Sequence, residues 1–235
     1  MVTELENQLG NFAQNVAKLY KNISNIMKTK IICILDASGS MYGIINDAIG
    51  GFNTFLKEQQ EVDGIANIDI LLFDTNFKKI VDSKDIQKIK PLTSKEYYPG
   101  GGTALYDAIG MSIDNELDKL AETPDYRFDK TLVVILTDGE ENSSKKYHQG
   151  LIKNMITEME EEFNWDFIFL AANQDAILTA DGMGIKAGKS MNWSADAEGV
   201  TVAYSSISKA TKLYRTTTKT CSESYDNIFK DSEEL

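Results

Sequence analysis

The sequence predicts a doubly wound α/β domain: a mostly parallel six-stranded sheet with one antiparallel edge strand, helices on both faces, and an amphipathic helix ahead of it. Short β-rich apolar runs, of the type buried on both faces of a parallel sheet, alternate with longer segments whose apolar residues recur at helical spacing. One pair of runs breaks the alternation. They meet at Asp74-Thr75-Asn76, a connection too short for a helical crossover, so those two strands must be antiparallel.

The elements follow in order. From Leu5 the apolar residues fall at Leu9, Phe12, Val16, Leu19, Ile23 and Ile26, alternate steps of four and three that make the seam of a helix. Residues 1–29 are therefore an amphipathic helix that either docks on its own domain or joins copies into a homo-oligomer. The domain proper is expected over 30–215. Its strands are Ile31 to Leu35, Ile68 to Phe73, the run ending near Asp82, Leu132 to Leu136, Phe167 to Leu170, and a weak strand near Lys189 to Trp193. Between them Ile45, Ile49, Phe52 and Leu56 keep helical spacing, as do Leu105, Ile109, Ile113 and Leu117, then Leu151, Met155 and Met159, then Val200, Tyr204 and Ile207. Trp165 and Trp193 are expected to pack against the sheet. Residues 216–235 turn polar and acidic and are expected to be a flexible tail.

Composition narrows the function. Asp and Glu total 36 against 24 Lys and Arg, a net charge of -12, and such a field repels phosphate backbones and anionic lipid heads. Neither nucleic acid nor membrane is an expected partner. No stretch approaches the ~20 apolar residues that span a bilayer, and no secretory signal pattern opens the chain. Cys33 lies in an apolar run and Cys221 in the polar tail, so a disulfide between them is not expected and the reading is cytoplasmic.

Ligands of an open α/β sheet gather beyond the carboxyl ends of its strands, where strand order reverses. The first strand runs into Asp36-Ala37-Ser38-Gly39-Ser40, the strand Leu132 to Leu136 runs into Thr137-Asp138-Gly139-Glu140, and Gly100-Gly101-Gly102-Thr103 opens a helix between them. Hydroxyls and carboxylates without a partnering base suit Mg²⁺, Mn²⁺ or Ca²⁺ better than zinc or copper, and few formal charges favour Mg²⁺. The glycines allow backbones to approach closely.

Asp36-Ala37-Ser38-Gly39-Ser40, Thr103 and Asp138 together resemble the complete metal-ion-dependent adhesion site (MIDAS) of von Willebrand factor A (vWA) domains. The resemblance runs from about Lys30 to Tyr214 and is most marked with the small stand-alone members of bacteria and phages. It implies that Ser38 and Ser40 would ligate the cation directly, Thr103 directly or through water, and Asp36 and Asp138 largely through water. It also implies a protein partner that donates a carboxylate to the ion, and binding or assembly rather than turnover.

Around this site the sequence offers a contact rim of Tyr42, Glu140, Glu141, Asn142, Asn173 and Asp175, with Gln174 and the turn residue Asp74 nearby. Glu140 to Asn142 read equally as an acidic helix start. Three other readings compete. A serine hydrolase would use Ser38 or Ser40, but residues 36 to 40 lack the Gly-x-Ser-x-Gly elbow, and the lone histidine, His148, falls on a segment that reads as a helix. A phospho-receiver would use Asp36 but lacks the clustered acidic pair. An oligomeric scaffold with a structural metal site is compatible with the binding reading.

Overall fold

The computed structural model describes residues 27–123, 125–173, 175–217 and 225–229. The amphipathic stripe from Leu5 to Ile26, most of the tail, Gln174 and Cys221 lie outside the described residues. Six strands form one sheet in the order β3-β2-β1-β4-β5-β6. They are β1 Lys28–Asp36, β2 Ile65–Phe73, β3 Phe77–Asp85, β4 Lys130–Thr137, β5 Trp165–Ala171 and β6 Ser190–Asn192. β2 and β3 pair antiparallel and every other neighbouring pair is parallel, as the three-residue turn required. The helices are α1 Ile45–Gln60, α2 Leu105–Glu122, α3 Gln149–Glu162, α4 Ala176–Gly182 and α5 Ala197–Thr216.

β1 is central and buried from Thr29 onward, and its alternation divides the core. Ile31, Cys33 and Leu35 pack with α1 and α5 on one face, while Ile32 and Ile34 pack with α2, α3 and α4 on the other. Trp165, the first residue of β5, and Trp193, just after β6, are both buried. β3 is the exposed edge, and Lys78, Lys79, Asp82 and Lys84 along it discourage pairing with another chain. The strands extend beyond the apolar runs because polar residues such as Thr29, Lys30 and Lys130 are buried at their starts. The sequence reading missed α4, whose seven residues are too few to display a period. Among the described residues no helix is long and apolar enough to cross a membrane.

Two adjacent glycines in α1 show how tightly the α1–α5 layer is packed. A Cβ on Gly51 would stand 2.3 Å from the Tyr204 ring, whereas one on Gly50 would meet nothing within 4 Å. Alanine raises helix propensity by about 1 kcal/mol at either position. At Gly51 overpacking against a buried ring costs about 1–3 kcal/mol and wins. Gly50→Ala is therefore expected to raise the melting temperature and Gly51→Ala to lower it, a sign difference that paired thermal melts would check.

Candidate metal centre

Strand order reverses between β1 and β4, and the loops after both strands form one end of the sheet. Asp36, at the end of β1, is fully buried. One carboxylate oxygen accepts the backbone N–H of Ser38 at 2.6 Å, and the other accepts the Thr137 hydroxyl. The loop is thus tied both to its own strand and to β4. Tyr97 donates its hydroxyl to the carbonyl of Asp36, while the Ala37 amide donates to the Phe73 carbonyl at 2.7 Å.

The glycine loop is strapped to this turn by backbone. Gly39 N–H donates to the Gly101 carbonyl at 3.1 Å and Gly100 N–H to the Ala37 carbonyl at 2.8 Å. Gly101 has φ +66° and a Cβ there would lie 2.7 Å from the Thr75 hydroxyl, so only glycine serves. The result is a fixed placement of Thr103, whose N–H donates to Asn142 Oδ1 at 2.9 Å and whose carbonyl accepts the Asn142 N–H at 3.0 Å.

Side chains converge accordingly. The Ser38 and Ser40 hydroxyls are 3.0 Å apart, and Ser40 donates to Asp138 Oδ1 at 2.6 Å. A Cβ added to Gly139 would fall 3.3 Å from the Thr103 hydroxyl and 3.6 Å from that of Ser40. Those two hydroxyls both border Gly139, and hydrogen bonds link Asp36 to Ser38, Ser38 to Ser40 and Ser40 to Asp138, so the five sequence-predicted ligands, Asp36, Ser38, Ser40, Thr103 and Asp138, lie around one loop cluster. Burial, reinforced by Asp138, pushes the Asp36 carboxyl up to about 6 against hydrogen bonds from Thr137 and Ser38 that favour its charge. Burial also raises Asp138. Among the described residues neither carboxylate forms an ion pair. Two buried carboxylates with no counter-charge, surrounded by three hydroxyls, suit a hard divalent cation, which would relieve their desolvation and mutual repulsion.

The expected contact rim divides. Tyr42 is 68% exposed and Glu140 is exposed beside Asp138. Glu141 turns inward, one oxygen accepting Tyr106 N–H at 3.0 Å and the other Ser143 and Ser144 N–H at 2.8 and 2.7 Å. It satisfies one amide in the first turn of α2 and two in its own loop. Asn142 clasps Thr103, Asn173 donates its side-chain amide to the Asp138 carbonyl at 2.9 Å, and Asp175 caps α4 by accepting Leu178 N–H at 3.0 Å. In this structure these four residues position loops. Residues 140–142 are not a helix start, since α3 opens only at Gln149, and His148 is its N-cap rather than a residue within it, accepting Leu151 N–H on Nδ1 at 3.3 Å. Asp74 accepts the Asn76 amide at 2.5 Å within its own turn.

The sequence reading missed Tyr97, as it did Tyr98, 71% exposed and two residues before Gly100, and it placed Thr137 and Gly139 in the converging loop without giving either a role. A second acidic group, Asp69, Asp82 and Glu116, brings its oxygens within 4.8 Å of one another. It sits near the start of β1 and the end of α2, at the other end of the sheet, and already holds two ammonium groups. Lys30 Nζ lies 2.8 Å from Asp69 and 3.5 Å from Glu116, Lys119 Nζ lies 2.5 Å from Glu116 and 3.5 Å from Asp69, and Lys119 also bonds Asp82. Burial opposes the Lys119 charge, yet Asp82 and Glu116 hold that ammonium above its usual range. Cations of the chain itself fill this site.

No family model and no curated protein matches the sequence. Solved structures do match the fold. The chain is similar to the PilB minor pilin from Streptococcus sanguinis, with TM-score 0.60 and 12% identity over 83% of this chain and 64% of the pilin. It is similar to the manganese-loaded Plasmodium vivax TRAP protein, with TM-score 0.54 and 16% identity over 75% of this chain and 72% of that one. A von Willebrand factor type A protein from Catenulispora acidiphila gives TM-score 0.51 and 12% identity over 77% of this chain and 42% of that one. The chain thus spans less than two thirds of the pilin and under half of the Catenulispora protein.

Proposed function

Because the chain has the fold of von Willebrand factor A domains, we propose that it is a binding module rather than an enzyme, and that its work is metal-dependent capture of a protein. Ser38, Ser40 and Thr103 hold a divalent cation together with Asp36 and Asp138, Mg²⁺ in preference to Mn²⁺ or Ca²⁺. The ion supplies a positive centre at which a partner's carboxylate completes the coordination. The observation that carries this reading is the convergence of three hydroxyls on two buried carboxylates that have no cationic partner among the described residues. The manganese-loaded Plasmodium vivax structure, which shares the fold, supports a cation in such a domain.

Exposed aromatic rings beside a charged centre are the usual anchors of an interface. Tyr42 follows the serine loop and Tyr98 precedes the glycine loop, so partner contact falls to these two rings and to Glu140. Cys33 is a buried free thiol, and we place the protein in the reducing cytoplasm on that account.

Titration of Mg²⁺, Mn²⁺ and Ca²⁺ into chelator-stripped protein by calorimetry tests the site. The parent is expected to bind one ion saturably, and a Ser38→Ala/Thr103→Ala variant to give only dilution heat. Equal heats from both proteins would sink the reading.

A further inference from the structure

One side of the molecule runs against its overall charge. The chain carries a net charge of -12, yet residues 78–96, most of β3 and the segment after it, hold six lysines and only three acids. The acids are already engaged. Asp82 pairs with Lys79 and Lys119, Asp85 lies 3.5 Å from Lys88 and accepts Gln87 N–H at 3.0 Å, and Glu96 accepts Thr93 N–H at 3.0 Å. Lys78, Lys84, Lys90 and Lys95 are exposed and form no ion pair among the described residues.

The fold gathers these lysines on one face. Lys78 stands opposite Leu72 and Lys84 opposite Ile68 in the β2–β3 register, and both partners pack in the α1–α5 layer. Residues opposite each other in an antiparallel pair share a face, and four residues of β2 set the two lysines ~13 Å apart. The chain then returns along α1. Gln60 donates its side-chain amide to the Ile86 and Ile89 carbonyls at 2.9 and 3.1 Å, and Asn53 accepts Leu92 N–H at 2.7 Å while donating to its carbonyl at 2.9 Å. That return carries Lys90 and Lys95 and passes the start of β3, where Lys78 Nζ lies 3.5 Å from the Glu96 carbonyl. It ends at the exposed Tyr98 and at Gly100, so the basic stripe leads up to the glycine loop of the candidate centre.

We propose that this stripe is a second docking surface, separate from the metal, and that its partner is a short acidic polypeptide segment. Charge complementarity carries the assignment, because unpaired lysines on one face steer and orient a run of Asp or Glu. Screening over about 8 Å at physiological salt lets these local charges act despite the acidic remainder of the chain. A second copy does not fit: two β3 strands brought together about Val81 would set Lys78 against Lys84, and like charges directly opposite repel. Nor does a long nucleic acid, whose closely spaced phosphates would run past the stripe onto acidic surface. A partner seated on Tyr98 would meet the stripe as well, but the lysines need no ion to act.

Fluorescence anisotropy with a labelled hexaglutamate peptide, on the full chain with chelator at physiological salt, tests the stripe apart from the metal centre. The parent is expected to bind saturably. Lys84→Glu/Lys90→Glu is expected to weaken binding by about tenfold or more, since it reverses two exposed charges that face the peptide. Lys209→Glu/Lys212→Glu makes the same change in net charge at two exposed positions of α5 and is expected to leave binding within about twofold. Absence of saturable binding to the parent overturns the proposal. Equal losses in the two variants also overturn it, because net charge alone would then govern. So does a single-stranded oligonucleotide of six phosphates that displaces the peptide at equal concentration, since the stripe would then be a site for any polyanion.

Discussion

Replacing Lys30 with methionine is expected to cost about 3 kcal/mol of stability, or roughly 6–12 °C in melting temperature for a chain of this length. Lys30 is fully buried, donates to Asp69 at 2.8 Å and to the Tyr126 hydroxyl at 2.7 Å, and lies 3.5 Å from Glu116. Burial works against its charge, and the two acids work for it. Methionine has similar length and fills the space, so packing changes little. What remains is Asp69 and Glu116, 1% and 3% exposed, with one cation fewer. Breaking a buried pair by removing one member costs about 3–5 kcal/mol, and the low end applies because Lys119 stays within 2.5 Å of Glu116. Adding Glu116→Gln to Lys30→Met neutralises one stranded carboxylate and should restore part of the loss. Thermal and urea melts of the three proteins would check this, and a Lys30→Met variant that melts with the parent would show that the network does not hold that end of the sheet.

The same residue shows where the sequence was opaque. Lys28-Thr29-Lys30 reads as polar chain leading into a strand, because nothing local announces that Asp69, Glu116 and Lys119 will surround Lys30 from β2 and α2. The apolar layers were legible for the opposite reason: burial on both faces of β1 and β4 requires unbroken runs, and runs are visible. Of the candidate centre, Asp36, Ser38 and Ser40 were legible because Gly39 places them in one turn, and Thr103 and Asp138 because each stands at the end of a recognisable element. The use of a carboxylate was not legible. Glu140 and Glu141 are neighbours of the same type, yet one faces solvent and the other satisfies one amide at the start of α2 and two in its own loop, a difference set by backbone direction alone. Tyr97 was hidden similarly, since its contact with the Asp36 carbonyl spans 61 residues of sequence.

Asp36→Asn is expected to move stability in opposite directions with and without metal. The substitution is isosteric and keeps the hydrogen bonds: the remaining side-chain oxygen still accepts Ser38 N–H, and Thr137 can accept from the new amide because its hydroxyl also reaches the Gly139 carbonyl at 3.0 Å. Only the charge is removed. In metal-free protein that charge is a liability, since burial, with Asp138 adding, raises the Asp36 carboxyl from 3.8 to about 6. A carboxyl raised on folding binds more protons in the native state between those values, so the metal-free parent loses stability as pH rises through that window. At pH 7 the variant should therefore exceed the metal-free parent by about 1–3 kcal/mol, an advantage that disappears below about pH 4, where the carboxyl is protonated in both states. With Mg²⁺ about 1,000-fold above its dissociation constant the order reverses. The parent gains about 4.1 kcal/mol, roughly 8–16 °C, and the variant, lacking the charge that holds the ion, gains little. Melting both proteins at pH 7 and pH 4, with chelator and with Mg²⁺, separates the two effects. A parent with no metal-dependent gain would remove the ion from the account of this site, whereas a variant no more stable than the metal-free parent would mean that Asp36 is not held as a costly charge.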